Sequence, residues 1–278
     1  MRRLLVLSAV GLVAACSRSG TPPVPVDDVA YVVAATDSSF VIPDTLRTGL
    51  NHFVFENRGH EVHECMFIHL PDGMSAEDFV AQVRSGIAFP EGAKDCSGPG
   101  LTSPGESVEM WVPLEEGRYI TGCWLGDHMR TRKPTEFVVH GAPPTAIAPP
   151  RDDVTVRMAD FRFEMAGKLT AGERVLHYVT MGPSMHEADV IRLDEGRTID
   201  DVREFFKREG GTPPGIIAGG SMDSHDLERE TWVKLNFVPG RYVFWCDMPM
   251  IQSSEKQAPD APHVTHADAG MFKEVVVE

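Results

Sequence analysis

Short runs of apolar residues, separated by turns rich in glycine and proline, dominate the chain from about residue 31 onward. Runs of this length with many β-branched and aromatic residues are typical of β-strands. The predicted strands include residues 53–55, 65–68 and 136–139 in the first half and residues 175–179, 189–191 and 274–277 in the second. The pattern therefore predicts an all-β protein built from many short strands.

A helical pattern interrupts the strands once in each half. Ser75 with Asp78, and Thr198 with Asp201, have the spacing of a capping box, which marks the start of a helix. Apolar residues then recur on one face, at Phe79, Val80 and Val83 and again at Val202, Phe205 and Phe206. Each half is therefore expected to contain one inserted helix.

One constant offset of 123 residues relates the two halves. The matching positions are Gly59 and Gly182, His63-Glu64 and His186-Glu187, Gly73 and Gly196, Gly117-Arg118-Tyr119 and Gly240-Arg241-Tyr242, and Cys123 and Cys246. A single register that holds glycine, histidine and cysteine alike indicates a duplicated domain. We expect one domain over residues 31–141 and a second over residues 153–278, joined by a proline-rich linker at residues 142–152.

The N-terminus has the features of an export signal. Arg2 and Arg3 precede an apolar run at residues 4–13 that is too short to span a bilayer. The run ends in small residues before Cys16, which resembles the bacterial lipobox, so residues 1–15 are predicted to be a signal peptide and Cys16 a lipidated N-terminus followed by a tether at residues 16–30. The alternative is an ordinary signal peptide in which Cys16 is incidental.

The net charge of the chain limits the classes of partner that it is expected to bind. The chain has 26 basic and 41 acidic residues, a net charge of −15, and loss of Arg2 and Arg3 with the signal peptide would bring it to −17. Such a surface disfavours nucleic acid and suits a basic protein partner or simple solubility outside the cell. The expected location is the cell envelope, on the periplasmic face of a membrane and attached through lipid, with the outer membrane favoured if the cell is Gram-negative.

Candidate metal ligands cluster late in the second copy. His186, Cys246, His266 and Met271 supply two imidazoles, a thiolate and a thioether, the ligand set of a mononuclear blue-copper centre. The first copy offers His63, Cys123 and His128. Lys133 follows His128 at the spacing at which Met271 follows His266, so a lysine stands at the position of the methionine. Glu64 and Glu187 are expected to support a strand or to orient the neighbouring histidine.

The segments around these ligands resemble the plastocyanin-type end of the cupredoxin family. Tyr242-Val243-Phe244-Trp245-Cys246 and His266-Ala267-Asp268-Ala269-Gly270-Met271 carry the resemblance, with His186 as the isolated first histidine. It implies two tandem cupredoxin-like Greek-key β-barrels or sandwiches and type 1 copper as the cofactor. Nineteen residues separate Cys246 from His266, where the family has only a few, so the sequence leaves open whether both reach one metal ion.

Two cysteines remain once Cys16 and the candidate ligands are set aside. Cys65 and Cys96 lack counterparts in the second copy, and in an oxidising compartment they are expected either to form a disulfide or to remain as two thiols.

The leading functional hypothesis is one-electron transfer to an unknown redox protein partner. The alternatives are a copper capture or delivery protein that uses the Met and His residues of loop 247–266, namely Met248, Met250, His263 and His266, and a metal-free interaction scaffold. Enzymatic activity is not expected. Multicopper oxidases and related nitrite reductases need further histidines beside the thiolate, whereas Trp245 and Asp247 flank Cys246.

Overall fold

The computed structural model of the protein describes residues 29–143, 145–208, 211–222, 224, 229–250 and 264–278. Seventeen strands and three helices lie in this part of the chain. In the first half these are β1 (Tyr31–Ala35), β2 (Phe40–Val41), β3 (Thr45–Leu46), β4 (Gly49–Asn57), β5 (Met66–Leu70), α1 (Ala76–Arg84), β6 (Lys94–Asp95), β7 (Ser107–Leu114), β8 (Gly117–Gly122), α2 (His128–Thr131) and β9 (Thr135–Val139). In the second half they are β10 (Val154–Ala159), β11 (Arg162–Ala166), β12 (Gly172–Thr180), β13 (Ala188–Leu193), α3 (Ile199–Lys207), β14 (Gly215–Ser221), β15 (Glu230–Phe237), β16 (Gly240–Trp245) and β17 (Phe272–Val277).

The strands form three sheets. A five-stranded sheet, in the order β3-β9-β8-β5-β6, belongs to the first half, and a four-stranded sheet, in the order β14-β13-β16-β17, belongs to the second. The remaining strands form one eight-stranded sheet in the order β11-β10-β12-β15-β7-β4-β1-β2. In each half, two sheets enclose an apolar core, and the predicted all-β fold class with an inserted helix in each half is confirmed.

Corresponding elements keep the offset seen in the sequence. Strands β4 and β12 begin 123 residues apart, as do β8 and β16, and α1 and α3. The predicted helix starts are also correct. Ser75 is the N-cap of α1 and accepts a hydrogen bond from the Asp78 amide, and the Asp201 carboxylate accepts one from the Thr198 amide before α3. The boundaries proposed for the two domains stay a prediction.

The inserted helices cover one sheet in each half. Phe79, Val80 and Val83 are buried on α1, and Val202, Phe205 and Phe206 are buried on α3, as the periodicity predicts. Phe206 stacks on Trp245 with ring centroids 5.5 Å apart, so α3 lies against the strand that leads into Cys246. The single turn of α2 is an element that the sequence pattern does not predict.

A continuous sheet joins the two halves. Strands β7 and β15 pair antiparallel, with Trp111 opposite Trp232 and Met110 opposite Val233. Met110 and Val233 are fully buried, and the two tryptophans lie on the opposite face of the sheet, where His52 stacks on Trp111 with centroids 4.2 Å apart. Because each sandwich would otherwise end in an exposed edge strand, this pairing satisfies the backbone groups of both.

A second contact between the halves runs beside the shared sheet. Isolated bridges pair Cys96 with Ser224, Pro99 with Ser221 and Thr102 with Ala218. The Leu101 amide donates to Asp189 Oδ1 at 2.8 Å, so a carboxylate from the second half holds backbone from the first. The two halves therefore share both a sheet and a hydrogen-bonded seam.

Part of the sequence-based prediction lies outside the described residues. It comprises Cys16, the signal peptide at residues 1–15, most of the tether at residues 16–30, and His263. No helix within the described part of the chain is both long and apolar enough to cross a membrane.

Candidate metal centres

The second-copy centre brings three of its four predicted ligands to one point. His186, Cys246 and His266 each offer a donor atom, and these atoms lie within 4.8 Å of one another. The Nδ1 atoms of the two histidines are 3.1 Å apart, and Cys246 Sγ is 3.5 Å from His266 Nδ1. All three side chains are buried, so the donors face each other in a site with little access for water.

Backbone pairing brings His266 back to Cys246 despite the nineteen residues between them. The Met250 amide donates to the Val264 carbonyl, and the His266 amide donates to the Met248 carbonyl, both at 2.9 Å. The Ala267 amide then donates to the Cys246 carbonyl at 3.0 Å. Backbone pairing thus closes the base of the long segment, and its length does not separate the two ligands.

Met271 lies in the same backbone network. Its amide donates to the His266 carbonyl at 2.9 Å, and its carbonyl accepts from the Cys246 amide at 3.3 Å. The side chain is fully buried in the core cluster that also contains Cys246. The fourth predicted ligand is therefore anchored to two of the other three.

A two-residue turn between β10 and β11 supports both histidines. Asp160 Oδ1 lies 3.0 Å from His186 Nε2, which leaves Nδ1 of that ring as the donor atom facing His266. Phe161, the other turn residue, sits edge-on to the His266 ring with centroids 5.2 Å apart. Phe161 has φ of 60°, a left-handed conformation that costs about 1–2 kcal/mol for a residue with a Cβ atom, and such strain is typical of functional sites.

Glu187 fixes the segment that follows the cysteine. Its Oε1 accepts a 2.7 Å hydrogen bond from the Asp247 amide, directly after Cys246. In the first copy Glu64 does the same for the amide of Trp124, directly after Cys123, at 2.5 Å. Both glutamates hold the cysteine loop, a role different from the strand support or histidine orientation expected from the sequence.

The first-copy centre resembles the second in its donor residues and supporting aspartate and differs at the position of the methionine. His63, Cys123 and His128 also have donor atoms within 4.8 Å of one another, and Cys123 Sγ lies 3.3 Å from His128 Nδ1. Asp37 Oδ1 lies 3.2 Å from His63 Nε2, in the position that Asp160 has beside His186 in the second copy. Lys133 is exposed, at the rim of a small pocket beside Cys123. An exposed amine therefore stands at the sequence position where the second copy has its buried thioether.

Burial keeps the histidines neutral at pH 7. It lowers the pKa of His186, and burial together with the nearby His186 ring lowers the pKa of His266 to about 4. Metal ions bind an unprotonated imidazole nitrogen. Because both rings are neutral at physiological pH, a metal ion would not have to displace a proton from an imidazolium ion. Neutral imidazoles, a buried thiol and a nearby thioether form a donor set suited to copper.

Several buried carboxyl groups lie close enough together to influence one another. Burial raises the pKa values of Glu187, Asp189 and Asp95, and it raises the pKa of Glu64 to about 7. Their mutual proximity adds to the effect, since Asp247 disfavours the charge on Glu64. The hydrogen bonds that these groups accept from backbone amides keep them in the interior.

Cys65 and Cys96 are buried thiols in the structure, so the disulfide alternative is not formed. Cys96 Sγ lies 3.7 Å from the Lys94 carbonyl oxygen, the geometry of a thiol donor, and both cysteines pack in the apolar core. Burial raises the pKa of Cys65 well above its usual value, which disfavours the thiolate needed for disulfide exchange.

Asp37 and Asp160 are site residues that motif analysis of the sequence misses. They are 123 residues apart, so the same offset that pairs His63 with His186 could have found them. Each lies more than twenty residues before its histidine and carries no motif of its own, which is why no local pattern reveals it. A carboxylate on the outer nitrogen of a ligand histidine fixes its tautomer and strengthens its donor nitrogen.

Comparison with known proteins identifies similar structures at low identity. No protein-family model and no curated protein matches the chain. Reduced auracyanin from Roseiflexus castenholzii is 16% identical over 40% of this chain and 95% of that chain, with a TM-score of 0.27. Auracyanin A, a "blue" copper protein from Chloroflexus aurantiacus, is 16% identical over 40% and 98%, with a TM-score of 0.30. A multicopper oxidase is 14% identical over 78% and 82%, with a TM-score of 0.25.

The raised pKa of Glu64 predicts an unusual pH dependence of stability. The usual glutamate value is 4.5 and the folded value is about 7, so the native state holds a proton that the unfolded chain releases between these values. Stability from this group is full below pH 4.5 and is lost as pH rises to about 7. A Glu64→Gln variant should therefore gain roughly 3 kcal/mol relative to the wild type between pH 4.5 and 8.

Urea unfolding of the metal-free protein at several pH values measures this difference. The Glu64→Gln variant keeps an oxygen acceptor for the Trp124 amide, so any cost of the new NH₂ group is an offset that does not vary with pH. If the free energies of unfolding of the two proteins differed by the same amount at every pH, the pKa of Glu64 would not be raised in the folded protein and the prediction would be wrong.

Proposed function

We propose that the protein is an exported copper protein that transfers single electrons through a type 1 centre held by His186, Cys246, His266 and Met271. The observation that supports this best is the convergence of two imidazole nitrogens and one thiol sulfur within 4.8 Å in a buried site. Bound copper would supply the one-electron couple. The family resemblance of the ligand segments supports the same assignment.

The side chains are arranged to change little during electron transfer. Asp160 fixes the His186 ring, Glu187 holds the loop after Cys246, and backbone hydrogen bonds hold Met271 to His266. A buried, pre-arranged ligand set suits both oxidation states because little has to move between them. Water has little access to the donors, which favours electron exchange over binding of an exogenous ligand.

A redox protein is the partner in this proposal. The acidic chain, with a net charge of −15, would attract a basic protein surface and repel nucleic acid. The proposal contains no substrate chemistry and therefore no enzymatic activity. Trp245 and Asp247 beside Cys246 support this, since neither could supply the histidines of an oxidase cluster.

Copper loading tests the central assignment. Addition of Cu(II) to the soluble protein should produce an intense visible thiolate-to-copper band, which ascorbate should bleach with one electron per copper ion. A Cys246→Ser variant should lose the band. The matched control is Cys123→Ser, which removes the equivalent thiol of the first copy and should leave the band intact.

A colourless loaded wild-type protein would contradict the type 1 assignment. Equal loss of colour in both cysteine variants would also contradict it, because the proposal places the centre in the second copy alone.

Removal of the Asp160 carboxylate should weaken copper binding. Asp160→Ala frees the His186 ring from its 3.0 Å contact, so the ring must be ordered when metal binds. Substitutions of this kind lower metal affinity roughly 10–100-fold. Competition titration with a chelator measures the change, and Asp194→Ala, an exposed carboxylate in the same half of the chain, serves as the control. Unchanged affinity in Asp160→Ala would assign Asp160 a purely structural role.

Membrane attachment through Cys16 is part of the proposal and rests on the sequence of the N-terminus. Cells that express the full chain should hold it in the membrane fraction and incorporate labelled palmitate, whereas Cys16→Ala should appear in the soluble or periplasmic fraction without label. Recovery of the wild-type protein as an unlabelled soluble protein would leave only an ordinary signal peptide.

A further inference from the structure

The first-copy centre contains a cation of its own, the guanidinium group of Arg132. Arg132 follows helix α2 in extended conformation, with φ of −98° and ψ of 157°, and this turns its side chain back over the donor residues. Its Nη1 atom lies 3.3 Å from both ring nitrogens of His63. The side chain is only 20% exposed, so it belongs to the centre more than to the surface.

Glu61 holds the guanidinium in this position. Nη2 of Arg132 donates to Glu61 Oε2 in a close ion pair, and the same oxygen lies 3.4 Å from His128 Nε2. Asp37, Glu61 and His63 also form a group whose donor atoms lie within 4.8 Å of one another. Because the guanidinium group pairs with Glu61 and contacts His63, it takes the place that another cation would have among these three residues.

A second cation would be repelled from this place. The guanidinium is charged at every accessible pH, and two positive charges within about 4 Å in a partly buried site repel strongly.

The second-copy centre differs in its charges. Both copies place a carboxylate on the first histidine, since Asp37 Oδ1 lies 3.2 Å from His63 Nε2 and Asp160 Oδ1 lies 3.0 Å from His186 Nε2. The first copy adds a guanidinium group 3.3 Å from both ring nitrogens of His63, so a metal ion bound there would meet a positive charge.

We propose that Arg132 takes the place of a metal ion in the first copy, so that this centre excludes copper although it has the His63, Cys123 and His128 donor set. Arg132 thereby closes the first-copy centre to copper. The inference concerns the first copy alone and does not require copper to bind in the second.

The test uses the full soluble chain with Cys246→Ser, which leaves the first-copy thiol as the candidate copper thiolate. This starting protein should bind no Cu(II) through Cys123. Arg132→Gln should then gain one bound copper per chain and a thiolate-to-copper band, with an affinity at least about a hundredfold higher at that centre. The further change Cys123→Ser should abolish the gain.

Two matched variants separate charge from shape. Arg132→Lys keeps the positive charge and should remain closed to copper, and Arg130→Gln makes the same neutral substitution at an exposed position on α2 and should also leave the centre closed. Circular dichroism and thermal unfolding confirm that each variant is folded, and Arg132→Met replaces Arg132→Gln if the latter is not.

Copper bound through Cys123 in the starting protein would overturn the inference whatever the variants do. A folded, neutral Arg132 variant that binds no copper would overturn it as well. Failure of the intact second copy to bind copper would contradict the proposed function and leave this result unaffected.

Discussion

The closed base of the segment between Cys246 and His266 is the constraint on which the second-copy centre depends. Three backbone hydrogen bonds, from Met250 to Val264, from His266 to Met248 and from Ala267 to Cys246, convert a nineteen-residue connection into a short hairpin stem. Loop-closure entropy grows only slowly with length, so a few bonds at the base offset the added residues. The ligand geometry is therefore set by the paired residues at the base of the segment.

A second constraint comes from the way the two halves join. The cysteine loops are held by Glu64 and Glu187, and Asp189 reaches across the seam to the Leu101 amide. Among the described residues these carboxyl groups have backbone amides as hydrogen-bond donors, which compensate a buried negative charge only in part. The structure therefore keeps protons on them more readily than water would. The hydrogen bonds from backbone amides to these carboxyl groups position the two cysteine loops and the seam. The free energy of unfolding falls as the carboxyl groups lose their protons with rising pH.

The sequence was sufficient for what depends on local patterns and on the repeat. Capping boxes at Ser75 and Thr198, short apolar runs and the 123-residue offset predict the two longer helices, several strands and the ligand candidates. It was not sufficient for the pairing of β7 with β15, because an edge strand shows the same alternation whether it ends a sheet or joins two. The return of His266 also depends on contacts between residues far apart in the chain. Spacing placed Lys133 at the axial position, whereas the side chain that enters the first-copy centre is that of its neighbour, Arg132.

The two copies share most of their support and differ in one segment. Asp37 and Asp160, His63 and His186, and Glu64 and Glu187 occupy equivalent places, all contributed before the cysteine strand. Beyond the cysteine, the first copy has a short helical turn that ends in Arg132, and the second has the hairpin stem followed by Met271. In both copies the carboxylate-supported histidine thus lies beside a second histidine and a thiol, and in the first copy the guanidinium group of Arg132 also contacts it. If Arg132 excludes copper as proposed, the charge carried by the segment after the cysteine decides whether such a centre attracts a metal ion.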